Sequence, residues 1–283
     1  MRLALIIAGI LVLTGCSAAP LAELPDGVTI AVLQNRSDYA SRTLEISVTN
    51  GSPDALQLET AVFESPRFTE PAEWSRGTTL AASATVNLRV ILPSSVCDPE
   101  DDSDPTVTLA FVTADGADGR ATVVPTDPLD RLATIAREDC LGQAVAAVAP
   151  LEMSEDLAWT PGAHAPGQLG LLATPNAAGG SLVIESVDRT VLLSVVAEGQ
   201  PVESLPIDLR VAAPDVEAAV RVDFIPARCD PHAVAEDKRG TFFPVHVTVT
   251  ATDGVESSGL VYVPVTDEER VEIYDYIADY CAY

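Results

Sequence analysis

Val86-Asn87-Leu88-Arg89-Val90, leading to Cys97-Asp98-Pro99, and Val220-Arg221-Val222-Asp223-Phe224, leading to Cys229-Asp230-Pro231, decide how this chain is read. Each is a short run rich in Val, followed at similar spacing by the same Cys-Asp-Pro. Upstream, Arg42-Thr43-Leu44-Glu45-Ile46-Ser47-Val48 pairs with Arg189-Thr190-Val191-Leu192-Leu193-Ser194-Val195. Downstream, Val107 to Thr113 precede Asp115-Gly116, as Val245 to Thr250 precede Asp253-Gly254. Val124-Pro125-Thr126-Asp127 then answers Val263-Pro264-Val265-Thr266-Asp267, and a Cys follows in each half, Cys140 or Cys281. Landmarks in one shared order imply an internal repeat, with two tandem domains at 27–150 and 151–283.

The repeat bears on the cysteines. Cys97, Cys140, Cys229 and Cys281 allow three pairings. Equivalent domains favour Cys97 with Cys140 and Cys229 with Cys281. Most segments read as strands. Val28 to Val32, Leu44 to Val48 and Leu88 to Leu92 are short, rich in Val, Ile and Thr, and partly alternating. The Asp-Gly pairs sit where tight turns belong. The expected class is mainly β, two antiparallel β-sandwiches of Ig-like architecture. Neither Trp74 nor Trp159 lies between paired cysteines, so the likeness to immunoglobulins is architectural only. Each half is expected to close with a helix. Asp127-Pro128 reads as an N-cap with Pro at the first helical position, followed by Leu129, Leu132, Ala136 and Cys140. Thr266 and Glu269 read as a capping box, with Ile273, Ile277, Tyr280 and Cys281 on one face. Leu141 to Gly180, rich in Ala, Pro and Gly, reads as a stiff connection with an edge strand.

Charge narrows the partners. The chain carries 42 acidic and 16 basic side chains, a net charge of −26, with Lys238 its lone lysine. Such a surface repels phosphate backbones, which argues against nucleic acid. The Arg bias, with abundant Ala, Val and Pro, resembles that of high-GC bacteria such as actinobacteria.

Met1-Arg2 precedes an apolar run, Leu3 to Leu13. That is too short for a span of about 30 Å and suits the core of a signal peptide. Leu13-Thr14-Gly15-Cys16 follows and resembles the lipobox of bacterial lipoproteins. The resemblance covers about sixteen residues. It implies cleavage after residue 15, a diacylglyceryl thioether (and palmitate) on Cys16, and a tether over 16–26. The implied place is the outer face of the cytoplasmic membrane, with the N-terminal lipid as the membrane contact. More than one acyl chain makes such an anchor stable. Ordinary secretion with cleavage near Ala18-Ala19 is the alternative. An exported chain also favours disulfides.

No motif announces a reaction, and no cofactor is implied. There is no Gly-x-Ser-x-Gly elbow, Walker loop or dinucleotide fingerprint. The second half departs from the first after Cys229-Asp230-Pro231. There His232, Glu236, Asp237, Lys238 and Arg239 form a mixed-charge loop suited to binding on a rigid scaffold. His232 and Glu236, four apart, share a helical face on which a metal is conceivable, although a solvated turn is the plainer reading. The run Asp98, Glu100, Asp101, Asp102 and Asp104 offers hard oxygens for calcium but lacks an EF-hand's Gly and distal Glu. Tyr274, Tyr276, Tyr280 and Tyr283 are either a ligand platform or core aromatics half-buried on a sheet. The favoured function is a non-catalytic binding or structural module of the envelope, with an envelope protein or polymer as partner. The alternatives are a hydrolase at the domain junction, joining His164 or His232 to a carboxylate and a hydroxyl, and a metal or small-ligand carrier at His232 and Glu236.

Overall fold

The structure is a computed structural model. It describes residues 21–282 except 155, 178, 214, 215, 236 and 238–240. The stretch read as a signal peptide and Cys16 therefore lie outside the described residues, as do Glu236, Lys238, Arg239 and Tyr283.

The first half carries β1 (Val28–Leu33), β2 (Thr43–Asn50), β3 (Leu56–Glu64), β4 (Ala72–Trp74), β5 (Thr78–Leu80), β6 (Thr85–Ile91), β7 (Thr106–Val112) and β8 (Asp118–Val123), then α1 (Arg131–Val148). The second carries β9 (Leu151–Met153), β10 (Gly167–Ala173), β11 (Ser181–Asp188), β12 (Leu193–Ala197), β13 (Gln200–Val202), β14 (Ser204–Ala212) and β15 (Ala218–Pro226). After these come α2 (Pro231–Ala235), β16 (Phe242–Thr250), β17 (Glu256–Pro264) and α3 (Asp267–Cys281). The protein is mainly β, and all paired strands run antiparallel.

Strand order is β1-β2-β6 facing β4-β3-β7-β8 in the first half, and β13-β12-β15-β10-β9 facing β14-β11-β16-β17 in the second. Removing β12 and β13 leaves β9-β10-β15 against β14-β11-β16-β17, the same order met in the same sequence of elements. The central strands β3 and β11 even carry the same irregularity, a register shift at Glu59 and at Glu185. Such bulges increase local twist and are designed features. The period-2 side-chain pattern shows why these segments are strands. Along β16, Phe243, Val245, Val247 and Val249 point inward, and Phe242, Pro244, His246 and Thr248 point out.

One sequence landmark is corrected. Arg42–Val48 becomes β2, but Arg189–Val195 becomes a loop and β12, which lies on the opposite side of β15 from β10. The strand equivalent to β2 is β10. A short Val/Leu-rich run says "strand" without saying which neighbour it takes, because pairing is decided by non-local partners.

Two further expectations change at α1. It begins at Arg131, not at Pro128, and Leu129 is 64% exposed. Asp127 still caps it, from one turn upstream, accepting the N–H groups of Arg131 and Leu132 at 2.9 and 2.9 Å. The helix also runs on past Cys140 to Val148, so the expected stiff connection begins as helix. Gln143-Ala144-Val145-Ala146-Ala147-Val148 is good helix-forming sequence. Leu132 and Ile135 pack in the first core, whereas Leu141, Val145 and Val148 pack in the second. Rather than closing its own half alone, α1 is shared. The second half receives it closely: a side chain at Gly180 would meet Val148 Cγ2 at 2.8 Å, and Gly180 has φ +92°. Both the space and the backbone there require glycine.

The cystines join Cys97 to Cys140 and Cys229 to Cys281, with Cα atoms 5.3 and 5.2 Å apart. Each ties its half's helix to the loop bearing the Cys-Asp-Pro. The capping box at α3 forms as read, with Glu269 N donating to Thr266 Oγ1 at 3.2 Å and Thr266 N to Glu269 Oε2 at 2.6 Å. Thr266→Ala should lower stability by about 1 kcal/mol, measured by urea denaturation. Near the start, Ala22 N donates to Asp118 O at 2.7 Å, so the chain joins the fold within the stretch read as tether.

Candidate functional site

Two cavities lie where the halves meet, and they differ in what their polar groups are doing. The first, about 450 Å3, is lined by Arg42, Ser95, Asp139 and Gln143 of the first half and by Leu260 and Tyr262 of β17, among others. Two of its charged side chains, Arg42 and Asp139, are consumed internally. Arg42 forms a two-pronged bond to Asp139 at 2.5 and 2.8 Å, and donates to the carbonyls of Leu92 and Pro93. Ser95 Oγ donates to the same carboxylate, and Gln143 donates to Ser95 O. A bidentate Arg–carboxylate pair of this kind holds a geometry well. This cavity is a weld between α1 and the sandwich.

The second is a cleft of about 700 Å3, a volume usual for ligand sites, which favour junctions of this kind. The first half contributes Arg36 and Tyr39. They sit on and beside a 3-10 helix, Arg36–Asp38, that a buried polar network holds against the outer face of β2. Asp38, 0% exposed, accepts from Arg89 Nη2 at 2.6 Å and from Asn35 N at 3.2 Å. Glu45 accepts from Asn35 Nδ2 and Asn87 Nδ2 at 2.9 and 2.8 Å. The Tyr39 ring lies under the Arg131 guanidinium, 4.6 Å from its centre. Arg36 and Tyr39 thus project from an anchored segment.

The second half supplies the opposite wall. Arg189 follows the end of β11; its N–H donates to Glu203 O at 2.8 Å, and its guanidinium pairs with Glu203. Thr190 Oγ1 accepts from Leu192 N and Leu193 N, which fixes the loop carrying Val191, 64% exposed at the cleft. Arg228 directly precedes Cys229, so the cystine to α3 sets its position. Phe242, Pro244 and Tyr262 come from the β16–β17 hairpin, with Pro244 opposite Tyr262. Asp188, which also lines the cleft, accepts from His246 Nε2 at 2.9 Å. Among the described residues, Arg36 and Arg228 make no ion pair.

The described part of the sequence-flagged loop borders this cleft. Ala233 and Asp237 line it; His232, second in α2, is an exposed residue whose N–H meets Asp230 Oδ1. Glu236, Lys238 and Arg239 fall outside the described residues, so the pairing of His232 with Glu236 does too. Asp237 accepts from Tyr274 Oη at 2.9 Å, and burial, with that bond, pushes the Tyr274 phenol up to about 12. Among the described residues no group of three metal-capable side chains assembles. The acidic loop turns inward on itself, Asp101 accepting from Ser103 N and Oγ.

The hydrolase reading called for His164 or His232 beside a carboxylate; among the described residues, His164 Nδ1 lies 2.9 Å from the Tyr280 carbonyl and makes no ion pair. Of the C-terminal tyrosines, the three described are core and not platform: Tyr276 is buried, Tyr280 packs on its ring and Tyr274 packs against the same core, while Tyr283 lies outside the described residues. Sequence reading missed Arg36, Tyr39, Asp188, Arg189, Arg228, Phe242 and Tyr262. They come from five separated segments and share no spacing, so no local motif marks them. No described helix is long and apolar enough to cross a membrane.

No protein-family model matches the chain, and no curated protein matches it. Among solved structures it is similar to the YadV chaperone, at 12% identity and TM-score 0.25 over 83% of this chain and 99% of that one. It is also similar to CBD12 from CALX1.2, at 13% and 0.25 over 76% and 77%. A third is the B domain of a biofilm associated protein, at 8% and 0.19 over 86% of each. Likenesses this distant carry no argument about binding or activity.

Proposed function

We propose that this chain is a lipid-anchored, extracytoplasmic protein of the bacterial cell envelope that binds a partner without catalysing its conversion. Two sandwiches, each with one cystine, form the binding body, and the diacylglyceryl group on Cys16 is the membrane contact. The observation that carries the reading is the second cleft. Arginine and aromatic side chains from both halves converge there on anchored segments, and α1, packed in both cores, fixes one wall relative to the other. Rigid scaffolds presenting loops at a junction are a common arrangement for binding.

Two measurements test it. A photocrosslinking residue placed at Val191 in living cells should capture an envelope protein or polymer, while one at exposed Val255, away from the cleft, should not. Capture at neither position, or equally at both, overturns the binding reading. Mass spectrometry of the native protein should find Cys16 as an acylated N-terminus, and Cys16→Ser should release the chain from the membrane fraction. An intact leader or an unacylated N-terminus overturns the anchoring.

A further inference from the structure

The geometry points to one end of the first sandwich, the end at which the chain enters the fold, as the surface that faces the lipid headgroups, with the second half held on the far side. The assignment rests on the anchoring of Cys16 proposed above and adds which surface meets the bilayer.

The entry point is fixed. Ala22 bridges Gly119 in parallel register at the start of β8, and Ala22 N donates to Asp118 O at 2.7 Å. Ala22 and Leu24 pack against the first core. The approach is close, since a Cβ at Gly119 would meet Ala22 O at 3.0 Å and the Phe111 ring at 2.3 Å. Cys16 and Ala22 are six positions apart in the chain. At no more than about 3.6 Å per residue they span about 20 Å at most, whatever path they take. An acyl group on Cys16 therefore holds Ala22 close to the headgroups.

Strand register shows what lies around that point. Val28 is opposite Asn50, Thr49 opposite Thr85, Leu56 opposite Leu80, and Val112 opposite Asp118. Gly51 N donates to Gly27 O at 3.0 Å, and Asn50 N to Ala84 O at 2.9 Å, which ties these strand ends together. The loops 51–55, 81–84 and 113–117 thus share one end with the entry point, and Pro25, Ser52, Asp54, Thr113 and Asp115 line a hollow among them. These loops hold Asp54 and Asp115 and no Lys or Arg. Anionic lipid does not attract such a surface, so the short leash is what keeps it there.

The second half leaves from the opposite end. There Gln34, just after β1, accepts from Arg131 Nη2 at 2.8 Å at the start of α1. The 18 residues of α1 run about 27 Å from that point into the second half. Among the described residues, strands of each half pack mainly on strands of the same half, and α1 is the main link between them. The two sandwiches therefore do not lie side by side. Where α1 finishes, a Cβ at Gly180 would meet both Val148 and Thr250, and Thr250 is opposite Glu256. The β16–β17 turn, with exposed Val255, stands at this far end. First-half strands, about 20–30 Å long, and then α1 separate it from the entry point.

Energy transfer to the bilayer tests this in the full-length, membrane-purified chain. A fluorescent residue is placed at Ala55, at Ala114 or at Val255, all exposed. Each protein is incorporated into vesicles of phosphatidylethanolamine and phosphatidylglycerol doped with an acceptor-labelled lipid. Transfer from Ala55 and Ala114 should exceed that from Val255 about twofold or more, because Val255 lies at least about 30 Å further from the entry point. Inserting about a dozen Gly and Ser residues between Ala19 and Pro20 should shrink the difference, because the longer leash no longer limits the tilt of the fold. Equal transfer from all three positions, higher transfer from Val255, or a difference that the insertion leaves unchanged overturns the assignment. Sedimentation with the vesicles keeps the two readings apart. A chain that sediments and gives one of those results is anchored, but in another orientation. A chain that stays in the supernatant has no anchor, and the membrane face falls with it.

Discussion

Tyr276→Ala is expected to destabilise the protein by about 4 kcal/mol, the size usual for deleting a large buried ring. Tyr276 is 2% exposed on α3 and touches Trp159, Phe224 and Tyr280, its ring centre 5.6 Å from the first two and 5.8 Å from the third. Its hydroxyl accepts from Gly167 N at 3.0 Å and lies within donating reach of the carbonyls of Phe224 and Ala165, at 3.0 and 3.1 Å. One side chain thus joins α3 to the ends of β10 and β15. Tyr276→Phe keeps the ring and strands the buried Gly167 amide, which should cost about 1–3 kcal/mol. Urea denaturation of the two variants separates ring from hydroxyl. A loss below about 1 kcal/mol for Tyr276→Ala would show that α3 is not packed on the sandwich as described.

The same burial has a pH consequence. Burial pushes the phenols of Tyr274 and Tyr276 up to about 12, against about 10 for a free tyrosine. Between these values the folded chain holds protons that the unfolded chain has released. Stability from this source is therefore complete below pH 10 and is lost as pH rises through 12. A flat stability profile across that window would contradict it.

Replacing Cys97 and Cys140 together by serine should cost a comparable amount. The bond closes a separation of 43 residues. In the chain-entropy picture a loop of that size contributes about 4 kcal/mol by restricting the unfolded chain. The effect should not stay in the first half, because Cys140 sits midway along α1. Ile135 on one side of it packs in the first core and Val145 on the other packs in the second. Hydrogen exchange should accelerate across the whole of Arg131–Val148, and over β17, against which Leu141 lies, as well as in the loop bearing Cys97. Exchange confined to that loop would mean that the welded Arg42–Asp139 pair and the shared packing hold α1 without the cystine. The Cys229 and Cys281 pair, separated by 52 residues, should contribute about as much, but its loss should loosen α3 and the position of Arg228.

Local chemistry explains what could be read from the amino acids alone. Alternating Val, Leu and Phe in segments such as Phe242–Thr250 specify strands, because a side-chain period of two leaves one face to bury. Thr266 and Glu269 specify a helix start, because both halves of the cap lie within four residues. The shared Cys-Asp-Pro and the following Cys specify which sulfurs are neighbours once the halves are taken as equivalent. The cleft could not be read, because Arg36, Arg228 and Tyr262 are brought together only by the folded chain.

Sequence by itself thus determined the strand-rich class, the repeated order of landmarks, the cap of α3 and the partner of each described cysteine. Tertiary structure alone decided that Arg189–Val195 feeds an added strand instead of matching β2, and that α1 extends to Val148 and serves both cores. It also decided which arginines face the hollow between the halves. The reason is range: propensity and capping act over a few residues, whereas strand neighbours, shared helices and clefts depend on contacts between residues far apart in the chain.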